Sequence, residues 1–153
     1  MKTERPSYHN SEPMCLELAK VVANIVNYDY EEDDDLSEVC KILKRYAESD
    51  AYELGKELED DLSVDMDFGI IEALDCMDVR GIKNRFIEEW VKAENITSFY
   101  KIGDTVTLPK SYKDGSGEIT KIDTKQAIYY VHSPSQSATA AWIMKFEDVE
   151  PTK

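Results

Sequence analysis

The stretch 95-NITSFYKIGDTVTL-108 decides how this chain folds, because the hydrophobic period changes inside it. Before it, apolar residues recur every three or four positions, which is the spacing of one helix face. After it, the chain is rich in Thr, Val, Ile and Tyr, with turn residues at short intervals, which is the pattern of short strands. Asn95 to Ser98 has helix-stop character, and from Gly103 onward the strand pattern takes over. The 153 residues can bury a real core and are expected to divide it between two modules, an α+β chain with its helices first.

Upstream of the switch, Ser11 offers an N-cap, Pro13 suits a first turn, and Met14, Leu18, Val21, Val22 and Ile25 form a stripe. Leu36, Val39, Cys40, Leu43, Tyr46 and Ala47 make the clearest amphipathic helix, with Glu38, Lys41, Lys44, Arg45 and Glu48 outside it. Leu54, Leu58 and Leu62 mark a thinner stripe over residues 50–62, and Phe68, Ile71, Leu74 and Met77 mark another over 67–77. Asp78 begins a last helix carrying Val79, Ile82, Phe86, Trp90 and Val91. Four to five helices are expected to bury these stripes together. Downstream, strands are expected near Thr105–Leu108, Glu118–Ile122, Ala127–His132 and Ala140–Lys145, with a short closing segment Phe146–Glu150. The turns fall at 114-DGSG-117 and 123-DTKQ-126.

The run Ile102 to Leu108, followed by Gly115, Gly117, Ile119 and Ile122, resembles the KOW pattern of SH3-like small barrels, in which Gly-Asp-x-Val opens the first strand. The ending from Trp142 to Pro151 is similar to the closing strand of such barrels. The resemblance covers the last third of the chain and departs from the pattern at Ser111, where a glycine is usual. It implies a five-stranded SH3-like β-barrel over residues 99–153, and the residues ahead of it are expected to form a flexible N-terminus at 1–10 and an acidic helical module at 11–98. Many KOW domains bind RNA or transcription machinery, which implies a candidate surface at Lys110, Tyr112 and Lys113. Small barrels host unrelated functions, however, so the likeness speaks to fold more than to activity. Of the adjacent Tyr129 and Tyr130, one is expected inside the barrel and the other outside, and Trp142 is expected in its core.

Charge supplies the functional argument. Residues 1–99 hold 25 acids and 11 bases, while residues 100–153 hold seven of each, so the whole formal charge of -14 belongs to the helical part. Such a surface argues against nucleic acid as the partner of that part and suits either solubility or a basic partner. The stretch 29-DYEEDDDLSE-38 puts seven carboxylates into ten residues. It is no calcium loop, since the sixth position needs a glycine and is filled by Asp34 or Glu38 in the two registers that start at Asp29 and Asp33. Asp35-Leu36-Ser37-Glu38 can form a capping box, and Asp50 to Glu53 repeats the arrangement. Capping leaves Glu31, Glu32, Asp33 and Asp34 without a local role.

A second surplus spans residues 48–67, where nine acids face the single base Lys56. Glu53, Glu57 and Asp61 repeat at i, i+4, i+8, and like charges so placed cost a helix a few tenths of a kcal/mol per pair. Successive carboxylates would stand about 6 Å apart along the axis. Together with Asp60 they are the candidate surface for a basic, nucleic-acid-handling partner. In size and surplus acid the chain is similar to DNA-mimic inhibitors made by bacteriophages, among them anti-restriction and anti-CRISPR proteins, with no shared motif. The competing expectation is an RNA- or ribosome-associated factor acting through its barrel.

Catalytic chemistry finds little support. His9 and His132 are the only imidazoles, the serines at 133, 135 and 137 give adjacency without triad geometry, and HExxH, Walker and GxGxxG patterns are missing. Cys15, Cys40 and Cys76 are odd in number and contain no CxxC, which argues against a disulfide framework or a zinc site. With no apolar leader in 1-MKTERPSYHN-10 and no run of about 20 apolar residues, the expectation is a cytoplasmic protein that is not an enzyme, needs no cofactor and meets no membrane.

Overall fold

A computed structural model describes residues 3–149. The elements run α1 (Glu12–Val26), a 3-10 turn (Asp33–Leu36), α2 (Ser37–Tyr46), α3 (Ala51–Leu62), α4 (Phe68–Asp75), α5 (Val79–Ala93), β1 (Thr105–Thr107), β2 (Ser116–Asp123), β3 (Ile128–His132), β4 (Trp142–Lys145) and a 3-10 turn (Phe146–Asp148). The fold is therefore α+β. It comprises two compact units, Thr3–Ile87 and a second that begins at Glu88, with the boundary inside α5.

In the first unit α1, α3, α4 and α5 each start where a side-chain oxygen meets an otherwise unpaired amide. The Ser11 hydroxyl accepts from Met14 N at 3.3 Å, and the carboxylates of Asp50 and Asp67 accept from Glu53 N and Ile70 N, each at 2.8 Å. Asp78 does the same for Gly81 N at 3.0 Å. Asn27 and Ser63 close α1 and α3 in the left-handed conformation, both at φ 56°. Between these ends α1 packs on α2, α2 on α3, and α3 on α4. Leu18, Leu36, Leu43 and Leu58 are fully buried, and removing each from water contributes about 1.5–3 kcal/mol.

Three positions differ from the expected stripes. Val21 is exposed, because α1 turns Cys15, Ala19 and Ala23 inward instead, and such small side chains let α2 approach closely. Phe68 is 78% exposed, since it is the first residue of α4 and lies beyond the part of that helix that is covered. Ile87, outside the expected stripe of α5, is buried. Tyr8, ahead of the helices, belongs to the core, and its hydroxyl donates to Val79 O at 2.6 Å.

The second unit is an antiparallel meander of order β1-β2-β3-β4. Its buried face carries Val106, Ile119, Tyr129, Val131 and Met144, joined by Tyr100, Leu108 and Val149. Ile119 pairs with Val131 and Lys121 with Tyr130, so Thr120 is the extra residue of a bulge. The insertion brings Ile122 opposite Tyr129, on the covered face. Tyr129 is the inward member of the tyrosine pair, and Tyr130 faces outward with the Lys121 ammonium 5.1 Å from its ring centroid. Four strands stand among the described residues; the expected closing segment Phe146–Glu150 begins with a 3-10 turn at Phe146–Asp148, and its last residue, Glu150, lies outside the described residues.

Candidate functional site

Two places on the chain gather the residues singled out by sequence. The first is the acid of the helical unit. Around residues 31–35 the capping box lies three residues upstream of the expected one. Asp35 is not an N-cap; its carboxylate accepts from Glu31 N and Glu32 N, both at 3.0 Å, and a reciprocal box joins Glu32 to Asp35. The cap position of α2 is instead Leu36, which is buried and has no side-chain oxygen to offer. The two amides hold the Asp35 carboxyl below the ordinary aspartate range. Asp33 forms an ion pair with Lys20 at 3.2 Å. Glu32 and Asp33 therefore do have local roles, which leaves Glu31 and Asp34 as the surplus.

On α3 the outcome is different. Glu53, Asp60 and Asp61 are exposed and Glu57 is half-buried, and among the described residues none of the four makes an ion pair. Other carboxylates of the first unit do find cations: Glu12 pairs with Lys44 at 3.1 Å, Glu38 with Lys41 at 2.9 Å, Glu48 with Lys83 at 2.5 Å and Glu17 with Arg85. The 3-10 turn Asp33–Leu36 packs on α1 and α2, while α3 packs on α2 and α4, so different elements carry the two acidic stretches. No group of three or more His, Cys, Asp or Glu among the described residues is placed to hold a metal ion.

The second place is the loop end of the sheet. Lys110 and Lys113 are exposed on either side of Tyr112, in a tight turn closed by Tyr112 N to Pro109 O at 3.0 Å. Tyr112 is stacked on Trp142, with ring centroids 4.5 Å apart and planes at 8°. Trp142 thus departs from its expected place in the core. It pairs with Val131, on the inner side of the sheet as strand parity demands, but as the first residue of β4 it lies where the sheet ends and 36% of it is exposed. Its indole Nε1 donates to Ser133 Oγ at 3.2 Å. Asp114 ties the Tyr112 turn to the loop after β3: it accepts from Ser135 N at 2.9 Å and from the Ser135 hydroxyl, which keeps its carboxyl low. Neither Trp142's exposure nor the Asp114–Ser135 bond was foreseen. The available signal was Trp142's position at the start of a strand, where a loop rather than a neighbouring strand must cover it.

A groove of about 500 Å³ also opens in the first unit between Ala51, Leu54, Leu74 and Met77. Its lining residues Glu48 and Lys83 neutralise each other. No helix among the described residues is long and apolar enough to cross a membrane. No protein-family model, no curated protein and no solved structure matches the chain.

Proposed function

We propose that this is a non-enzymatic binding protein whose acidic helical unit docks on a basic, nucleic-acid-handling protein and inhibits or modulates it, in the manner of a DNA-mimic inhibitor. The observation that carries this reading is the unneutralised row on α3. Among the described residues Glu53, Glu57, Asp60 and Asp61 have no ion-pair partner, although the same unit pairs Glu12, Glu17, Glu38 and Glu48 with lysine or arginine. Helix stability gains nothing from such a row. A partner built to grip phosphates, in contrast, meets carboxylates about 6 Å apart along a rigid rod. The second unit would add specificity as a five-stranded SH3-like barrel; the four-stranded meander with one covered face supports that part of the proposal.

The test is a pull-down from nuclease-treated lysate, comparing the native chain with a variant carrying Glu53→Lys, Glu57→Lys, Asp60→Lys and Asp61→Lys. The expected result is a basic nucleic-acid-handling protein retained by the native chain and lost from the variant, whose circular dichroism is unchanged. Equal retention by both would sink the proposal.

A further inference from the structure

The sheet ends on β4, and that edge is open. The strands run in the order β1-β2-β3-β4, so among the described residues no strand pairs with the far side of β4. Two bonds fix which main-chain groups lie there. Phe146 N donates to Ala127 O at 3.0 Å, so the peptide joining Lys145 to Phe146 turns its N–H toward β3 and its carbonyl away. The Tyr130 carbonyl accepts from the Thr120 hydroxyl at 3.2 Å, on the β2 side, and so is turned away from its β4 partner Ile143. Antiparallel pairs alternate between bonded and non-bonded, and β3 and β4 pair without a shift from Ile128–Lys145 to Val131–Trp142. Ile143 and Lys145 therefore aim both N–H and C=O outward. Such edges are commonly guarded by proline, by a bulge or by charge. β4 has no proline, its pairing with β3 has no bulge, and Lys145 at its end is its only charge. Ile143 is 59% exposed on this strand.

We propose that β4 pairs with β4 of a second copy of this chain, antiparallel about a two-fold axis at Ile143, joining two sheets into one. The strand is complementary to itself in that register. Ile143 stands opposite the copy's Ile143 and exchanges both main-chain bonds with it, so one surface serves both partners. Trp142, which is partly exposed, stands opposite Met144 on the covered side of both sheets. Lys145 stands opposite Ala141, so no two like charges face each other. Residues 100–153 hold seven acids and seven bases, and the edge therefore carries no surplus of its own. The surplus acid of residues 1–99 repels a second copy, and salt screens that repulsion. Self-association accordingly strengthens with salt, the opposite of docking by α3, and it uses residues of the second unit alone.

The experiment takes the full-length chain through a dilution series in the analytical ultracentrifuge at low and at high salt, with amide hydrogen exchange followed at both ends of the series. The expected result is a mass that rises from one chain to two with concentration, more readily at high salt. Within β4, protection is gained at the Ile143 and Lys145 amides alone, since those of Trp142 and Met144 already face β3. Ile143→Lys sets two ammonium groups face to face and is expected to weaken association about tenfold or more. Its circular dichroism stays native, because the side chain it replaces is largely exposed. Ile143→Thr keeps a strand-forming residue, loses the apolar contact and weakens association less. The proposal is overturned if the chain stays single at every concentration and salt, or if Ile143→Lys associates like the native chain. It is overturned equally if the two amides exchange as fast in the pair as in the single chain, or if association fades as salt is added. None of these outcomes touches the α3 pull-down, so the two readings fail separately.

Discussion

At Gly117 an added methyl group has no room. A Cβ there would stand 2.6 Å from Val131 Cγ1 and 2.9 Å from the His132 carbonyl oxygen, and the latter is backbone of the paired strand. Gly117→Ala is expected to destabilise the sheet by about 1–3 kcal/mol. A lower urea midpoint for loss of the near-ultraviolet signal would show it; an unmoved midpoint would mean that β2 and β3 can part there freely. Tyr129 supports a second prediction, because its hydroxyl accepts from Phe99 N at 3.2 Å and Tyr100 N at 3.4 Å. Tyr129→Phe leaves the ring in place and strands two amides, so it should cost about 1 kcal/mol and accelerate hydrogen exchange at those two positions. Which of the two tyrosines turned inward was illegible in the sequence. Alternation along a strand states that neighbours differ without stating the phase, and the bulge at Thr120 shifts β2 against β3. Trp142 shows the converse limit, since its side of the sheet was legible while its cover depended on a loop.

The elements follow local chemistry closely where that chemistry is complete within four residues. Ser11, Asp50, Asp67 and Asp78 each cap a helix, and each was readable as an oxygen just ahead of an apolar stripe. The start of α2 was misjudged because two carboxylates three residues apart, Glu32 and Asp35, compete with the Asp35–Glu38 pair for the same motif. A 3-10 turn inserted at Asp33–Leu36 favours the first. The turn should be sensitive to acid. Asp35's folded pKa lies below its unfolded value, so its contribution is present above the unfolded value and disappears as pH falls through the folded one. The amide resonances of Glu31 and Glu32 are expected to titrate together with a midpoint below 3.8, and Asp35→Asn should abolish that titration. A midpoint at or above 3.8 would show that the two hydrogen bonds do not stabilise the charged form.

For the molecule as a whole, charge was the most legible property, and its consequence is a matter of range. At about 0.1 M salt the screening length is roughly 10 Å, longer than the ~6 Å between successive carboxylates on α3, so the row acts as one field. At about 1 M the screening length is roughly 3 Å, and each carboxylate then acts alone. The association rate of the acidic unit with its partner should therefore fall by about tenfold or more across that interval, with a much smaller change in the dissociation rate. Stopped-flow mixing at a series of salt concentrations reads both; a rate indifferent to salt would exclude electrostatic docking. The division into a helical and a stranded part was legible because the hydrophobic period changes once, near residues 95–104. The 3-10 turn at Phe146–Asp148 was not, since an extended segment and such a turn share the same short apolar spacing at Phe146 and Val149. The bond from Tyr8 to Val79 O spans 71 residues, whereas each strand of the sheet pairs with the next one along the chain. During synthesis, then, the earliest part of the chain waits for α5 before its core can close, while the last part assembles hairpin by hairpin as it emerges.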